Sequence, residues 1–254
     1  APPRSGAGAR RAARSEARSR GAGRPGGPTP PVAGLSARDD VREFYLGGAG
    51  GHAAVLVDIL RQQERTILAV QAPEMVPCRR VFSGLPHWAD EQPLLDLAPD
   101  AVELVNGIGS LPGMSLRYQI YARYRALGFA FAQVIAAEAV VSRYAQLGDG
   151  VQILPRAVVQ SGACIGANSI INTGAIIEHD CQLGADNHIA PGAVLSGGVH
   201  TGSSVHVGTG AAVIQGRMIG DEAVVAAGAT LNRDLAVAHI AYAARSHICT
   251  IKKQ

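Results

Sequence analysis

The chain has 254 residues, enough for one or two domains with a sizeable core, and its hydrophobic content of 47% suits a soluble globular protein. The formal charge of +3 misleads, because residues 1–37 hold seven Arg and one Glu; that segment contributes six positive charges and the remainder stands at −3. A mildly acidic body argues against nucleic acid as a partner. The apolar runs are too short for a membrane span, broken for example by Asp58 and Glu138, and four cysteines without CxxC spacing, Cys78, Cys164, Cys181 and Cys249, fit a reduced, cytoplasmic protein.

Residues 1–40 are rich in Arg, Ala, Gly and Pro, lack the apolar stretch of a signal peptide and carry too little apolar surface to fold. The expectation is a disordered basic extension, with the natural chain beginning near Val41. From there to residue 136 the pattern alternates. Phe44 to Leu46 reads as a strand, Gly47 to Gly51 as a glycine-rich turn, and Ala53 to Gln63 as a helix with Val55, Leu56, Ile59 and Leu60 on one face. "TILAV" (66–70) and "AVELVNGIG" (101–109) read as further strands, and "LRYQIYARYRALG" (116–128) as a helix stopped by Gly128. Strands alternating with helices predict a small parallel α/β domain over 41–136.

From residue 139 the period becomes six. Val141, Leu147, Ile153, Val159, Ile165, Ile171, Ile177, Leu183, Ile189, Leu195, Thr201, Val207, Val213, Ile219, Val225 and Leu231 form an unbroken series with one polar member. A compact residue follows each by four positions up to Arg217, which interrupts that second series. Helices do not repeat on six, and ordinary strands repeat on two. Six residues per face and three faces per turn give a triangular prism of short parallel strands with aliphatics inside, the hexapeptide signature of a left-handed parallel β-helix. The prediction is an α/β domain followed by this prism over 137–235, then a C-terminal segment, 236–254. No long insertion interrupts the coils, so the chain has no loop of its own to cover a site on them.

In the prism, residues eighteen apart stack in adjacent coils. His179 stands near an edge, flanked by Glu178 and Asp180, with Gly197 one coil beyond it. A carboxylate that holds one imidazole nitrogen leaves the other basic, and histidine ordinarily titrates near neutral pH. Gly197 offers a backbone N–H without a side chain in the way, the kind of donor a developing oxyanion needs. His179 is therefore the candidate general base and Asp180 its orienting partner. His188 and His206 share another column. Zinc is not expected, since His200 and His206 are six apart and point from different faces. Gly48, Gly50 and Ala53 make only a weak dinucleotide fingerprint, and no acidic residue closes the second strand to hold a ribose, so NAD is not expected either.

Residues 171–199, "INTGAIIEHDCQLGADNHIAPGAVLSGGV", together with "GGAGGHAAVLVDIL" (47–60), resemble the bacterial sugar acyltransferases that include sialic acid O-acetyltransferase and the UDP-4-amino-sugar N-acetyltransferases. The resemblance runs from about residue 41 to 247. It implies a homotrimer with sites between neighbouring prisms, acetyl-CoA as cosubstrate, no metal, and a sugar or nucleotide-sugar acceptor. It makes His179 the base and Asp180 its acidic companion, sets Asn172 near the acceptor and His188 at the neighbouring subunit, and has Gly197 donate to the thioester carbonyl. It also assigns Gly48, Ala49, Gly50, Gly51 and His52 to a Rossmann-like nucleotide-sugar cradle, and Ala227 and Gly228 to the pantetheine arm, with Arg217, Arg233, Arg245 or Lys252 as candidates for the phosphates.

The chain departs from the family pattern at Gln71, where an acidic residue is usual, at "AAEA" (136–139) and at "YAAR" (242–245). The expected activity is direct acetyl transfer to the amine of a nucleotide-linked amino sugar. The alternatives are O-acetylation of a sialic acid or other sugar, acyl transfer to an amino acid, which would leave the glycine-rich turn without a role, and a scaffold that has lost its activity.

Overall fold

The computed structural model describes residues 42–46, for the backbone alone, together with 49–74 and 79–244. The extension expected over 1–40 lies outside these residues, as do Gly48, Cys78, Arg245, Cys249 and Lys252. The described residues belong to one compact unit. No helix among the described residues is long and apolar enough to cross a membrane.

The first part of that unit is a parallel sheet. Its elements in chain order are β1 (Arg42–Leu46), α1 (Gly51–Gln62), β2 (Ile67–Gln71), β3 (His87–Trp88), α2 (Gln92–Leu95), β4 (Val102–Asn106), α3 (Leu116–Ala126) and β5 (Ala130–Phe131). The strands lie in the order β3-β2-β1-β4-β5, all pairs parallel, so β1 and β4 sit inside and their ends open toward the glycine-rich turn. The short strands β3 and β5 and the one-turn α2 carry too few periodic residues to be read from sequence.

Helix α1 buries Ala53, Leu56, Val57, Ile59 and Leu60. The expected face differs at one position, since Val55 is exposed and Val57 is fully buried. The reason is a second neighbour: α1 shares a core not only with Val70 and Val105 of the sheet but also with Val134, Leu154 and Ile170 of the prism. A helix packed on two sides buries a wider arc than one stripe.

Beyond residue 133 the backbone runs in two-residue strands that stack into three parallel sheets. The first face holds seven strands, beginning at Val134, Gln152, Ile170, His188, His206, Val224 and Ile240. The second holds six, beginning at Val140, Val158, Ile176, Val194, Ala212 and Thr230, and the third five, beginning at Gln146, Cys164, Gln182, His200 and Met218. Partners lie eighteen residues apart, as in Ile177 with Leu195 and Ile189 with Val207. Stacked parallel sheets with a six-residue period fit a left-handed β-helix. The aliphatic series points inward as expected, with Ile153, Ile171, Ile177, Ile189, Leu195, Val207 and Val225 all fully buried.

The coils extend further than 137–235 in both directions. Val134–Ile135 pairs with Gln152–Ile153, and Ile240–Ala241 pairs with Val224–Val225. The early coil escapes the hexapeptide reading because its outward residues are covered by the α/β part. The late one escapes it because ten residues separate Thr230 from Ile240, with Leu235 bridging to Ile219 on the way.

Three polar side chains, Ser169, Asn187 and Thr201, stand among the inward positions. The two protons of Asn187 Nδ2 are shared among Thr201 Oγ1 at 2.6 Å and the carbonyls of Gly184 and Gly202, each at 3.0 Å, while Oδ1 accepts from the Val205 amide at 2.7 Å. With every group satisfied, the layer carries no desolvation penalty from unpaired atoms.

Candidate active site

His179 and Asp180 form the corner after the second face, directly behind Ile176–Ile177. Asp180 takes a left-handed conformation, φ 60°, which Asp tolerates better than bulkier residues. Its amide donates to the Ser161 carbonyl at 3.1 Å, and the carbonyl of His179 accepts from Gly198 N–H at 2.9 Å, so both ends of the corner are tied to adjacent coils. His179 Nδ1–H donates to Asp180 Oδ2 at 2.9 Å. In the neutral ring that bond places the proton on Nδ1 and the lone pair on Nε2.

Glycines above and below make this arrangement possible. A Cβ on Gly197 would stand 2.5 Å from His179 Nε2, so the imidazole lies directly over bare backbone. A Cβ on Gly162, one coil the other way, would strike Asp180 Oδ1. The Gly197 N–H makes no hydrogen bond to another described residue and is available to an oxyanion. The side chains of His179 and Asp180 are 64% and 72% exposed in the single chain, so the imidazole stands uncovered.

A second cluster lies on the first face. Asn172 Nδ2 donates to His188 Nε2 at 3.0 Å, while His188 Nδ1–H donates to the Ser110 carbonyl at 2.8 Å, in the loop after β4. Burial, followed by the neighbouring His206, pushes the His188 pKa down to about 4. His52, at the start of α1, donates through Nε2–H to Gln152 Oε1 at 2.8 Å, and Gln152 passes the chain on to the Asn106 carbonyl at 2.7 Å. Burial first, then repulsion from Arg117, pushes His52 down to about 3. Buried Arg117 of α3 donates to the carbonyls of Asn106, Ile108 and Asn168, clamping the loop after β4 onto the prism.

The glycine-rich turn ends in the α1 N-terminus. Gly50 is the N-cap; among the described residues nothing lies within 4 Å of where its Cβ would stand, and no side chain caps the helix. Ala49 is buried, whereas Gly51 is exposed, and a Cβ on Gly51 would come within 3.9 Å of the Arg79 guanidinium. Free amides and a guanidinium at one helix end suit an anion. Ala227 and Gly228 are exposed at the corner after the first face, in the column of Thr173 and Gly174, whereas Gly197 belongs to the corner after the second.

The predicted residues thus fall into separate groups on one chain: His179 with Asp180 and Gly197, Asn172 with His188, the turn with His52, and Ala227 with Gly228. An open groove of about 440 Å³ over the third face, lined by Gln182, His200, Met218, Asp221 and Val237 among others, includes none of them. His200 and His206 stand on different faces, and no group of three or more metal-ligating side chains converges among the described residues. Ser110, Gln152 and Arg79 were not legible in advance, since each meets its site partner across tens of residues and from another element.

The bacterial transferase hexapeptide family (six repeats) matches residues 144–179 and 165–197. Among solved structures, a histidine-to-asparagine variant of perosamine N-acetyltransferase from Caulobacter crescentus, in complex with CoA and GDP-perosamine, is 33% identical. It has a TM-score of 0.70, and the alignment covers 79% of this chain and 92% of that one. This chain belongs to the hexapeptide-repeat sugar acetyltransferases. The acetyltransferase domain of PglB from Neisseria gonorrhoeae FA1090, in complex with acetyl coenzyme A, is 30% identical with a TM-score of 0.71, covering 79% of this acetyltransferase and 95% of that domain. WeeI from Acinetobacter baumannii AYE, 20% identical with a TM-score of 0.68 over 79% of this chain and 95% of that one, shares the fold. No curated protein matches the chain.

Proposed function

We propose that this acetyltransferase moves an acetyl group from acetyl-CoA to the amine of a nucleotide-linked amino sugar. The observation that carries this reading is His179, held by Asp180 with its free Nε2 over the bare peptide of Gly197, in a chain similar to enzymes that hold CoA and GDP-perosamine or acetyl coenzyme A.

The acceptor amine attacks the thioester carbonyl as His179 Nε2 takes its proton. The Gly197 N–H stabilises the resulting oxyanion. Collapse of the tetrahedral species breaks the carbon–sulfur bond, and the departing thiolate receives the proton from His179, so base and acid are the same ring. Asp180 steadies the imidazolium between the two steps. No acyl-enzyme is needed. Cys181, two residues after His179, is fully buried in the prism, donates to the Ser196 carbonyl, and has its pKa raised by that burial.

The α/β part serves as a Rossmann-like cradle for the nucleotide, with Gly50, Gly51 and Arg79 toward the diphosphate. His52, Asn172 and His188 face the sugar as neutral hydrogen-bonding groups. The working unit is a homotrimer. Of the three faces of the prism, the first is covered at its start by α1 and its sheet, and the third is mostly polar. The second presents Val140, Val158, Ile176, Val194 and Ala212 outward, with no other element of the described residues packed on it. That apolar face ends at the His179 corner, so a neighbouring copy seated on it roofs the exposed imidazole and brings its own side chains to the reacting atoms.

The test is thiol release from acetyl-CoA in the presence of GDP- and UDP-linked amino sugars and of free sialic acid. Release is expected with a nucleotide amino sugar, and His179→Ala is expected to lower turnover by about 10²- to 10⁴-fold. Release with none of these acceptors, or full activity in the variant, would overturn the reading.

A further inference from the structure

His206 lies one coil beyond His188 on the first face, paired with it across the parallel strands. The two rings meet edge to face, with centroids 4.8 Å apart and planes at 88°. We propose that His206 is a positioning residue for the acceptor, its ring bracing His188 in the single orientation and tautomer that can receive the Asn172 amide. The proposal rests on the reading that Asn172 and His188 face the sugar.

The hydrogen bonds explain why bracing matters. Asn172 is fixed at both ends, Oδ1 accepting from the Thr173 amide at 2.8 Å and Nδ2 donating to His188 Nε2 at 3.0 Å. One Nδ2 proton remains for a ligand. If His188 rotates, or takes a second proton at Nε2, donor faces donor and Asn172 must turn away. The Ser110 carbonyl secures Nδ1 from the loop after β4, but that loop holds the ring at one atom only. His206 supplies the wall against which the plane of the ring is set.

Charge acts in the same direction. The titratable groups facing His188 are His206 from the next coil, Arg117 from α3 and His52 from α1; the first two disfavour a cation at His188, and His188 in turn disfavours one at His52. Burial pushes His206 itself below the ordinary histidine range, and its Nδ1 is enclosed without a hydrogen-bond partner among the described residues. A small side chain at 206 would remove the wall and admit water, and the second proton with it.

The experiment compares the full chain with His206→Ala and His206→Phe, the latter keeping a flat ring of similar size. In ¹⁵N-histidine spectra recorded without substrate, His188 should stay the Nδ1–H tautomer to below pH 5 in the native protein and in His206→Phe. In His206→Ala it should show averaged tautomers and titrate at higher pH. In steady-state assays His206→Ala should raise the KM for the nucleotide amino sugar by roughly tenfold, the weight of about one hydrogen bond, and shift its acid limb to higher pH. The KM for acetyl-CoA should stay unchanged, and His206→Phe should restore the sugar KM. A fixed tautomer in His206→Ala, or an unchanged sugar KM beside a mobile tautomer, would overturn the proposal. Absence of turnover in the native protein would instead count against the acetyltransferase reading, and the spectra would still decide whether His206 braces His188.

Discussion

His179 and Gly197 are related as a ring and the gap that admits it: Nε2 lies 2.5 Å from where a side chain on residue 197 would begin. Gly197 is not among the glycines with positive φ, so alanine fits the backbone there and its methyl group acts on the imidazole alone. Gly197→Ala should therefore lower kcat by roughly 10²-fold through displacement of the base by about an ångström, with no change in thermal midpoint. Steady-state kinetics alongside a melting curve check this. A normal kcat would show that the imidazole works from some other position.

The prism was legible because its sterics repeat. Each inward position sees the same three walls, so one aliphatic residue every six is demanded coil after coil, and eighteen-residue stacking follows from that alone. This is why His179 and Gly197 could be matched without coordinates. The acceptor side offered no such rule. His52 meets Gln152 across one hundred residues and His188 meets Ser110 across seventy-eight, because a loop of the α/β part folds over the first coils; no period in either half records that docking. The same docking buries Val57 where a one-sided helix would have buried Val55. Gly162 was missed for another reason, as its need arises only from the place the Asp180 carboxylate takes above it.

The second face supplies a test of assembly. Val194 points outward in the middle of its apolar column, one coil beyond Ile176, so Val194→Glu places a charge where a neighbouring copy is proposed to sit, and like charges then meet or are buried unpaired. Light scattering should report trimers for the native chain and monomers for the variant, with the circular dichroism of the coils unchanged. Activity should fall with the trimer, since the His179 corner loses its roof. A variant that stays trimeric would move the interface to another face.

Acid stability follows from the histidines on the acceptor side. His52 and His188 have folded pKa values pushed down to about 3 and about 4, chiefly by burial, whereas in the unfolded chain a histidine titrates near 6.5. Between those values the unfolded state binds protons that the folded state refuses. Their contribution is therefore fully present above about pH 6.5 and is lost as the pH falls toward 4, with a slope of at most about 1.4 kcal/mol per pH unit for each histidine. Urea midpoints measured from pH 7.5 to pH 4.5 should decline along that slope, and replacing both residues by Gln should flatten it while leaving the carboxylate-driven loss at lower pH. The Asn172 to Ser110 link passes through His188, so the loop after β4 should exchange its amide hydrogens faster in this pH range before the coils do. Equal acid sensitivity in the double variant would mean that these imidazoles are already hydrated in the native state.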